Sequence, residues 1–252
     1  MNNAKPSQTE LNKLLMYFKN GNYVNAEKLA LILTKDYPKY QFSWKVLGAI
    51  YTQTDRKNEA LNAKKISVDL APIDAEAHYN LGATLQELGK LEDAELSYRK
   101  AIDLKLTYPK VHYNLGIILQ ELGKLGDAEL SYRKAIELNP NYPQAFYNLG
   151  IILQELGKLE DAELSYRKAI ELNPDYPQAL HNLGIILQEL GKLEDAELSY
   201  RKAIELNPDY GQSRSLLGVL LLELGKHNEG LKERAKSDGS ISFDLKNGLS
   251  IC

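Results

Sequence analysis

The fold is decided by residues 143–176, which read PQAFYNLGIILQELGKLEDAELSYRKAIELNPDY. The next 34 residues, 177–210, repeat this stretch with changes at only two positions, where Leu180 and His181 replace Phe146 and Tyr147. A leucine-glycine pair recurs with the same 34-residue spacing, with its glycine at Gly82, Gly116, Gly150, Gly184 and Gly218. Such a period predicts stacked structural units in place of one central core.

Each unit is predicted to contain two helices. In 143–176 the first helix is expected from about Pro143 to Leu156, because proline suits the first helical position and apolar residues follow at helical spacing. Gly157 is expected to end that helix in the left-handed conformation. The second helix is expected over 160–172, because Pro174 disfavours helix at the residue before it.

Small residues at two positions indicate how the two helices meet. Gly150 in the first helix and Ala162 in the second are expected to let the antiparallel helices approach closely. The buried stripe of the second helix is predicted to consist of Ala162, Tyr166 and Ala169, which share one helical face.

This pattern resembles a known family. A 34-residue helix pair with a small residue at position eight, alanine at twenty and twenty-seven, and proline at thirty-two is similar to the tetratricopeptide repeat. The resemblance implies an all-α fold, a right-handed superhelical solenoid of antiparallel helix pairs. The resemblance covers nearly the whole chain and assigns residues 7–236 to the solenoid. The full repeats are 7–40, 41–74, 75–108, 109–142, 143–176 and 177–210, and a partial repeat follows at 211–236.

The C-terminal segment 237–252 has a different character. Two short apolar runs surround Asn247-Gly248, which suits a β-hairpin that acts as a tail or cap. A linker to a further domain is the alternative. The apolar helix expected over 216–222 needs a cover, so we expect removal of 237–252 to promote association.

Composition excludes several classes of protein. The 252 residues are 44% hydrophobic and 26% charged with a net charge of −3, which is typical of an ordinary folded chain and not of a disordered or strongly basic one. Cys252 is the only cysteine, so neither an intrachain disulfide nor a cysteine zinc site can form. No secretory signal or membrane-spanning stretch is recognised, and a cytoplasmic protein without membrane insertion is expected.

The resemblance also implies a binding surface. In tetratricopeptide arrays the exposed face of each first helix lines a concave groove, and here that face carries aromatic and amide side chains. Tyrosine offers a large, stiff contact area, and glutamine can pair with a peptide backbone as both donor and acceptor. A passively repeated polar surface is the alternative. The implied peptide-binding residues are Tyr79, Tyr113, Tyr147 and His181, with Gln86, Gln120, Gln154 and Gln188.

An asparagine recurs beside these aromatic residues. The ladder of Asn80, Asn114, Asn148 and Asn182 is similar to that in the tetratricopeptide region of O-linked N-acetylglucosamine transferase, which implies contacts with the backbone of a bound peptide. The same asparagines could instead tie adjacent repeats together, and the two interpretations carry equal weight. Val46 and Leu216 occupy the matching positions at the ends, so a binding track would be central.

Charge along the chain favours some partners over others. Residues 75–210 hold 14 Lys and Arg against 22 Asp and Glu, whereas residues 1–74 hold 11 against 7. An acidic centre disfavours nucleic acid and favours a neutral or basic peptide or protein. Part of this charge is expected in helix-surface pairs such as Glu163 with Arg167.

No constellation for catalysis is recognised, so we expect neither an enzyme nor a cofactor or metal. His78 and His112 are interpreted as core residues, since they replace Phe146 and Leu180 of the sister repeats. The favoured function is a non-catalytic protein-interaction scaffold. The alternatives are the substrate-targeting arm of a glycosyltransferase-like or sulfotransferase-like enzyme, and a homo-oligomer that assembles through its terminal repeats.

Overall fold

A computed structural model describes residues 5–105, 107–237, 241–244 and 248–251 of the chain. The described residues form fourteen α-helices and two β-strands. The chain divides into two compact units, Met1–Ser131 and Tyr132–Cys252. The first unit contains α1 (Gln8–Lys19), α2 (Tyr23–Asp36), α3 (Gln41–Gln53), α4 (Lys57–Leu70), α5 (Ala75–Glu87), α6 (Leu91–Asp103) and α7 (Pro109–Glu121).

Helix α8 (Leu125–Leu138) includes the residues at which the two units divide. The second unit continues with α9 (Pro143–Glu155), α10 (Leu159–Leu172), α11 (Pro177–Glu189), α12 (Leu193–Leu206), α13 (Gly211–Glu223), α14 (His227–Ser237), β1 (Ile241–Asp244) and β2 (Gly248–Ile251).

The helix bounds in 143–176 agree with the sequence prediction to within one residue. Pro143 begins α9, and Gly157 follows its C-cap with φ +71°, the left-handed conformation expected there. Helix α10 ends at Leu172, immediately before Asn173-Pro174. In the repeat 41–74, Asp55 takes the place of this glycine and adopts φ +55°. Local turn chemistry therefore sets the helix ends.

Close packing within each pair rests on a glycine-tyrosine contact. A Cβ atom added to Gly150 would lie 2.6 Å from Cε1 of Tyr166, so only glycine fits there without a shift of the ring. Ala162, Tyr166 and Ala169 are all fully buried, as predicted. Within each unit, consecutive helices pack on one another in sequence order. The predicted all-α array of antiparallel helix pairs is confirmed.

The interpretation of His78 as a core residue is wrong. His78 is half-buried, and its Nε2 donates to the carbonyl of Pro72 at 3.0 Å. Trp44 and Arg214 occupy the same repeat position and donate to the carbonyls of Pro38 and Pro208 at 2.9 and 3.0 Å. This position therefore ties the helix to the loop before it, a role that several polar side chains can fill. His112 is half-buried as well.

The last helix pair packs more closely than its degenerate sequence suggested. A Cβ atom on Gly230 would lie 2.8 Å from the carbonyl oxygen of Gly218, and this closeness lets α14 cover α13. Leu217, Leu220 and Leu221 are consequently buried.

Two strands follow α14, and they pair antiparallel with Ile241 opposite Ile251. The predicted hairpin is thus confirmed in its strands. Asn247 of its turn lies outside the described residues.

Candidate peptide-binding face

The structure places the sequence-predicted site residues on four first helices. Tyr79, Asn80 and Gln86 lie on α5, and their equivalents lie on α7, α9 and α11. The tyrosines, asparagines and glutamines of this set are half-buried. We call these residues the first-helix face and describe it in each unit separately. In the first unit its members are Tyr79, Asn80, Gln86, Tyr113, Asn114 and Gln120. In the second unit its members are Tyr147, Asn148, Gln154, His181, Asn182 and Gln188.

In the first unit this face is organised around the hydroxyl group of Tyr98. That hydroxyl donates to Oε1 of Gln86 at 2.8 Å and accepts from Nδ2 of Asn114 at 3.3 Å. The ring of Tyr79 lies 5.9 Å from the ring of Tyr98, centroid to centroid. Burial raises the pKa of Tyr79, and a hydrogen bond from Asn114 opposes that rise. Asn114 therefore joins its own repeat to the preceding one.

The same arrangement recurs in the second unit. Nδ2 of Asn182 lies 3.4 Å from the hydroxyl groups of both Tyr147 and Tyr166, which belong to the preceding repeat. The hydroxyl of Tyr166 also lies 3.4 Å from Oε1 of Gln154. Asn148 donates to the hydroxyl of Tyr132 at 3.4 Å. Asn114, Asn148 and Asn182 therefore each contact a tyrosine of the preceding repeat, which is the geometry expected if these asparagines tie adjacent repeats together.

His181 departs from the surface position that the sequence predicted. It is only 7% exposed, and its Nδ1 lies 2.8 Å from Oγ of Ser213. Its ring is flanked by Tyr200 and Tyr210, with centroids 6.1 and 4.9 Å away. Burial lowers the pKa of His181, which favours the neutral imidazole. Its position therefore offers a partner far less area than Tyr147 does.

The glutamines make intramolecular hydrogen bonds in the second unit. Nε2 of Gln154 donates to Glu189 at 3.4 Å, and Nε2 of Gln188 donates to Glu223 at 3.3 Å. Each acceptor belongs to the first helix of the next repeat. Both ends of these side-chain amides are thus engaged within the chain, through bonds longer than the usual range of about 2.7–3.2 Å.

Sequence reasoning missed the contribution of the second helices to this face. Tyr166 was assigned only to the buried stripe between helices, yet its hydroxyl group reaches the first-helix face. Recurrence was the available signal, because a tyrosine stands at the same repeat position in four repeats, at Tyr98, Tyr132, Tyr166 and Tyr200.

The predicted helix-surface ion pairs form, and they extend between repeats. Glu163 pairs with Arg167 at 2.9 Å and also with Lys192 of the next repeat at 2.6 Å. Glu197 pairs in the same way with Arg201 and Lys226. Burial opposes ionisation of Glu163, but its two cationic partners prevail and its pKa lies below the usual value. These pairs lie apart from the first-helix face and stabilise the stacking of repeats.

In the part of the chain that the structure describes, no group of three or more His, Cys, Asp or Glu side chains has the arrangement of a metal site. None of the helices in that part combines the length and the apolar character needed to cross a membrane.

Solved structures of similar fold were found by comparison. YrrB, described as a TPR protein with an unusual peptide-binding site, is 21% identical and superposes with a TM-score of 0.67 over 73% of this chain and 95% of its own. MamA is 26% identical with a TM-score of 0.63 over 64% of this chain and 95% of its own. PilW, a type IV pilus biogenesis factor, is 22% identical with a TM-score of 0.67 over 86% of this chain and 100% of its own.

Sequence comparison identifies the repeat itself. No curated protein matches the chain significantly. Models described as tetratricopeptide repeat match residues 143–176, 177–210 and 199–232, and a model described as TPR repeat matches 85–123 and 118–157. These matches together span more than half of the chain. The chain therefore belongs to the tetratricopeptide repeat family.

Proposed function

We propose that this chain is a non-catalytic scaffold that binds an extended peptide segment of a partner protein along the first-helix face. The family assignment supports a role in protein interaction. The observation that carries the finer proposal is the recurrence of one half-buried tyrosine, asparagine and glutamine set on successive first helices. Equally spaced, chemically identical contacts suit a ligand whose own backbone repeats.

The hydrogen bonds within this face can be exchanged for bonds to a ligand. The bonds that Asn182 makes to Tyr166 and Gln154 makes to Glu189 are both 3.4 Å long, against a usual N–H···O distance of about 2.9–3.0 Å. Replacing such bonds by shorter ones to a peptide backbone costs little. Each amide also supplies a donor and an acceptor, as a backbone amide does.

Charge beside the face selects among peptides. Glu87, Glu121, Glu155 and Glu189 are all exposed, one turn or less from the glutamines of the same helices. Their charge favours a neutral or basic segment in the central repeats. YrrB, a TPR protein described as having an unusual peptide-binding site, has a similar fold, which supports a peptide as the class of ligand.

Selection from a displayed library of linear peptides, followed by fluorescence polarisation with the selected peptides, tests the proposal. Replacement of Asn80, Asn114, Asn148 and Asn182 by alanine is expected to weaken binding by about tenfold or more, because several peptide hydrogen bonds are lost together. The selected peptides are expected to be neutral or basic, with affinity that falls as salt is added.

A matched control uses leucines of the second helices, outside this face. Leu164 and Leu198 are each 65% exposed, on α10 and α12. Their replacement by alanine is expected to leave affinity unchanged, whereas replacement of Gln154 and Gln188 is expected to reduce it. Equal effects of the two pairs, or full affinity in the asparagine variant with intact helical content, would remove this face from the mechanism.

A further inference from the structure

Two second helices of the second unit each expose a leucine at the same repeat position. Leu164 of α10 and Leu198 of α12 are 34 residues apart in the sequence, and each is 65% exposed. Leu96 and Leu130 stand at this position in the first unit and are 70% and 67% exposed. Single exposed leucines are ordinary, but exposed leucines that belong to a continuous apolar surface mark a contact with a partner.

A groove beside each leucine of the second unit makes the surface continuous. In each groove two successive second helices form the walls, and the first helix between them forms the floor. The groove beside Leu164 has a volume of about 350 Å³, and its other apolar residues are Ile136, Phe146 and Leu149. The groove beside Leu198 has a volume of about 340 Å³, and its other apolar residues are Ile170, Leu180 and Leu183. We call these two the second-helix grooves.

The last helix pair shows how such a groove is filled from within. Arg214 and Glu233 stand at the repeat positions of Leu180 and Ser199, and they form an ion pair of 2.9 Å in the corresponding groove between α12 and α14. Lys232 stands at the position of the exposed leucine. Charged residues thus replace both the leucine and part of the apolar lining there, so the leucines and the apolar grooves vary together.

The charged residues that border the second-helix grooves favour a partner with little net charge. Arg133 and Glu137 border one groove, and Arg167, Glu171 and Lys202 border the other. Both signs are present on each rim, so a strongly acidic or strongly basic partner would meet like charges as well as unlike ones. An apolar surface with mixed charges of its own is the better complement.

A second copy of this chain has these properties. Leu164 and Leu198 are one repeat apart, and so are the two grooves, so both leucines of one copy can enter grooves of the other copy together. Arg and Glu follow each other four residues apart on each rim, and an antiparallel copy reverses that order. Unlike charges then lie opposite each other across the contact, which uses the same patch on both copies.

We propose that Leu164, Leu198 and the second-helix grooves form a self-association surface through which two copies of the chain pack antiparallel. The surface lies on the second helices, so this inference goes beyond the peptide binding proposed for the first-helix face. It also uses different residues from an association through α13 and α14.

Sedimentation velocity of the full chain tests the proposal. Over concentrations from about 1 µM to about 1 mM, the range of weak associations, the chain is expected to pass reversibly from monomer to dimer. Replacement of Leu164 and Leu198 together by serine is expected to raise the dissociation constant about tenfold or more, because their apolar area gains nothing from contact once it is removed. A chain that stays monomeric up to the highest concentration would overturn the proposal.

A matched control removes exposed apolar side chains elsewhere. Val24 and Leu31 of α2 are 67% and 46% exposed, and their replacement by serine is expected to leave the dissociation constant unchanged. An equal effect of the two serine pairs would indicate unspecific apolar association. A dimer that persists in the Leu164 and Leu198 variant would indicate another surface, such as α13 and α14. Either result would refute the proposal.

A second variant tests the groove while it leaves both leucines in place. Leu180→Arg with Ser199→Glu copies the ion pair of Arg214 and Glu233 into the groove beside Leu198. This variant is expected to weaken the dimer as the serine pair does, and its melting temperature checks that it folds. Full dimerisation of the folded variant would exclude the groove. Peptide affinity at the first-helix face is expected to be the same in all variants, so the two proposals can fail separately.

Discussion

The side-chain amide of Asn182 lies 3.4 Å from the hydroxyl group of Tyr166, a residue of the preceding repeat. Asn114 and Tyr98 make the same contact in the first unit at 3.3 Å. The ladder of asparagines is thus part of the packing between repeats, whatever it also contacts. In an array whose repeats touch only their neighbours, such contacts contribute directly to the coupling of one repeat to the next.

Asn182→Ala is expected to lower the stability of the second unit by about 1 kcal/mol, because it leaves the hydroxyl groups of Tyr147 and Tyr166 without this donor. Urea denaturation followed by circular dichroism measures the change. Gln178→Ala, at an exposed position of the same helix, should leave the midpoint in place. An unchanged midpoint in the Asn182 variant would show that the 3.4 Å contacts contribute nothing to stability.

Gly150→Ala is expected to destabilise the chain by roughly 1–3 kcal/mol, because the new methyl group would lie 2.6 Å from the buried ring of Tyr166. Gly126 provides the opposite case within helix α8. No atom lies within 4 Å of a Cβ added there, so Gly126→Ala is expected to stabilise by about 0.5–1 kcal/mol through helix propensity. Thermal melting of the two variants should therefore shift in opposite directions, and a shift in the same direction would contradict the packing described here.

The lowered pKa of Lys64 predicts that the stability of the folded chain changes at alkaline pH. Because its side chain is buried, its folded value of about 8 lies below the usual value of 10.5, so the unfolded chain binds more protons between these limits. The destabilisation by Lys64 is therefore fully present below pH 8 and is relieved as the pH rises toward 10.5. We expect wild type to gain about 2 kcal/mol relative to Lys64→Met across this range.

The groups facing Lys64 do not obscure this effect. Burial opposes the charges of Lys45 and Asp74, but the bonds of Lys45 to Glu76 and Asp74 raise the pKa of Lys45, and the bonds of Asp74 to Ala77, Lys45 and Gln41 lower the pKa of Asp74. Urea denaturation of wild type, of Lys64→Met and of Lys65→Met, an exposed control on the same helix, from pH 7 to 10.5 provides the measurement. A constant difference between wild type and Lys64→Met would show that Lys64 keeps an ordinary pKa.

Deletion of residues 237–252 is expected to promote self-association through the last helix pair. Val219 is 36% exposed and Leu231 is 46% exposed there, so apolar surface is already available in that pair. Light scattering over a range of protein concentrations would detect the oligomer. If the shortened chain remains monomeric throughout, the tail is not a cap and assembly through this end is excluded.

Most of the helix pattern could be predicted from residues that act locally. Pro143, Gly157 and Pro174 mark the helix ends through their own backbone preferences, and the structure agrees with them to within one residue. The site was harder to predict, because exposure of a side chain depends on residues one repeat away. Tyr147 and His181 share a repeat position and have equivalent aromatic neighbours, yet His181 is buried and bonded to Ser213 of the next repeat.

By itself, the sequence determined that this chain is a stack of helix pairs, since a 34-residue period and its turn residues leave no other regular solution. Only the tertiary structure decided which polar groups serve the fold and which remain available. Asn182 contacts a tyrosine of the preceding repeat, whereas Asn80 lines a cavity. The physical reason is that hydrogen bonding and burial are set by neighbours in space, and here those neighbours are 16 residues or more away along the chain.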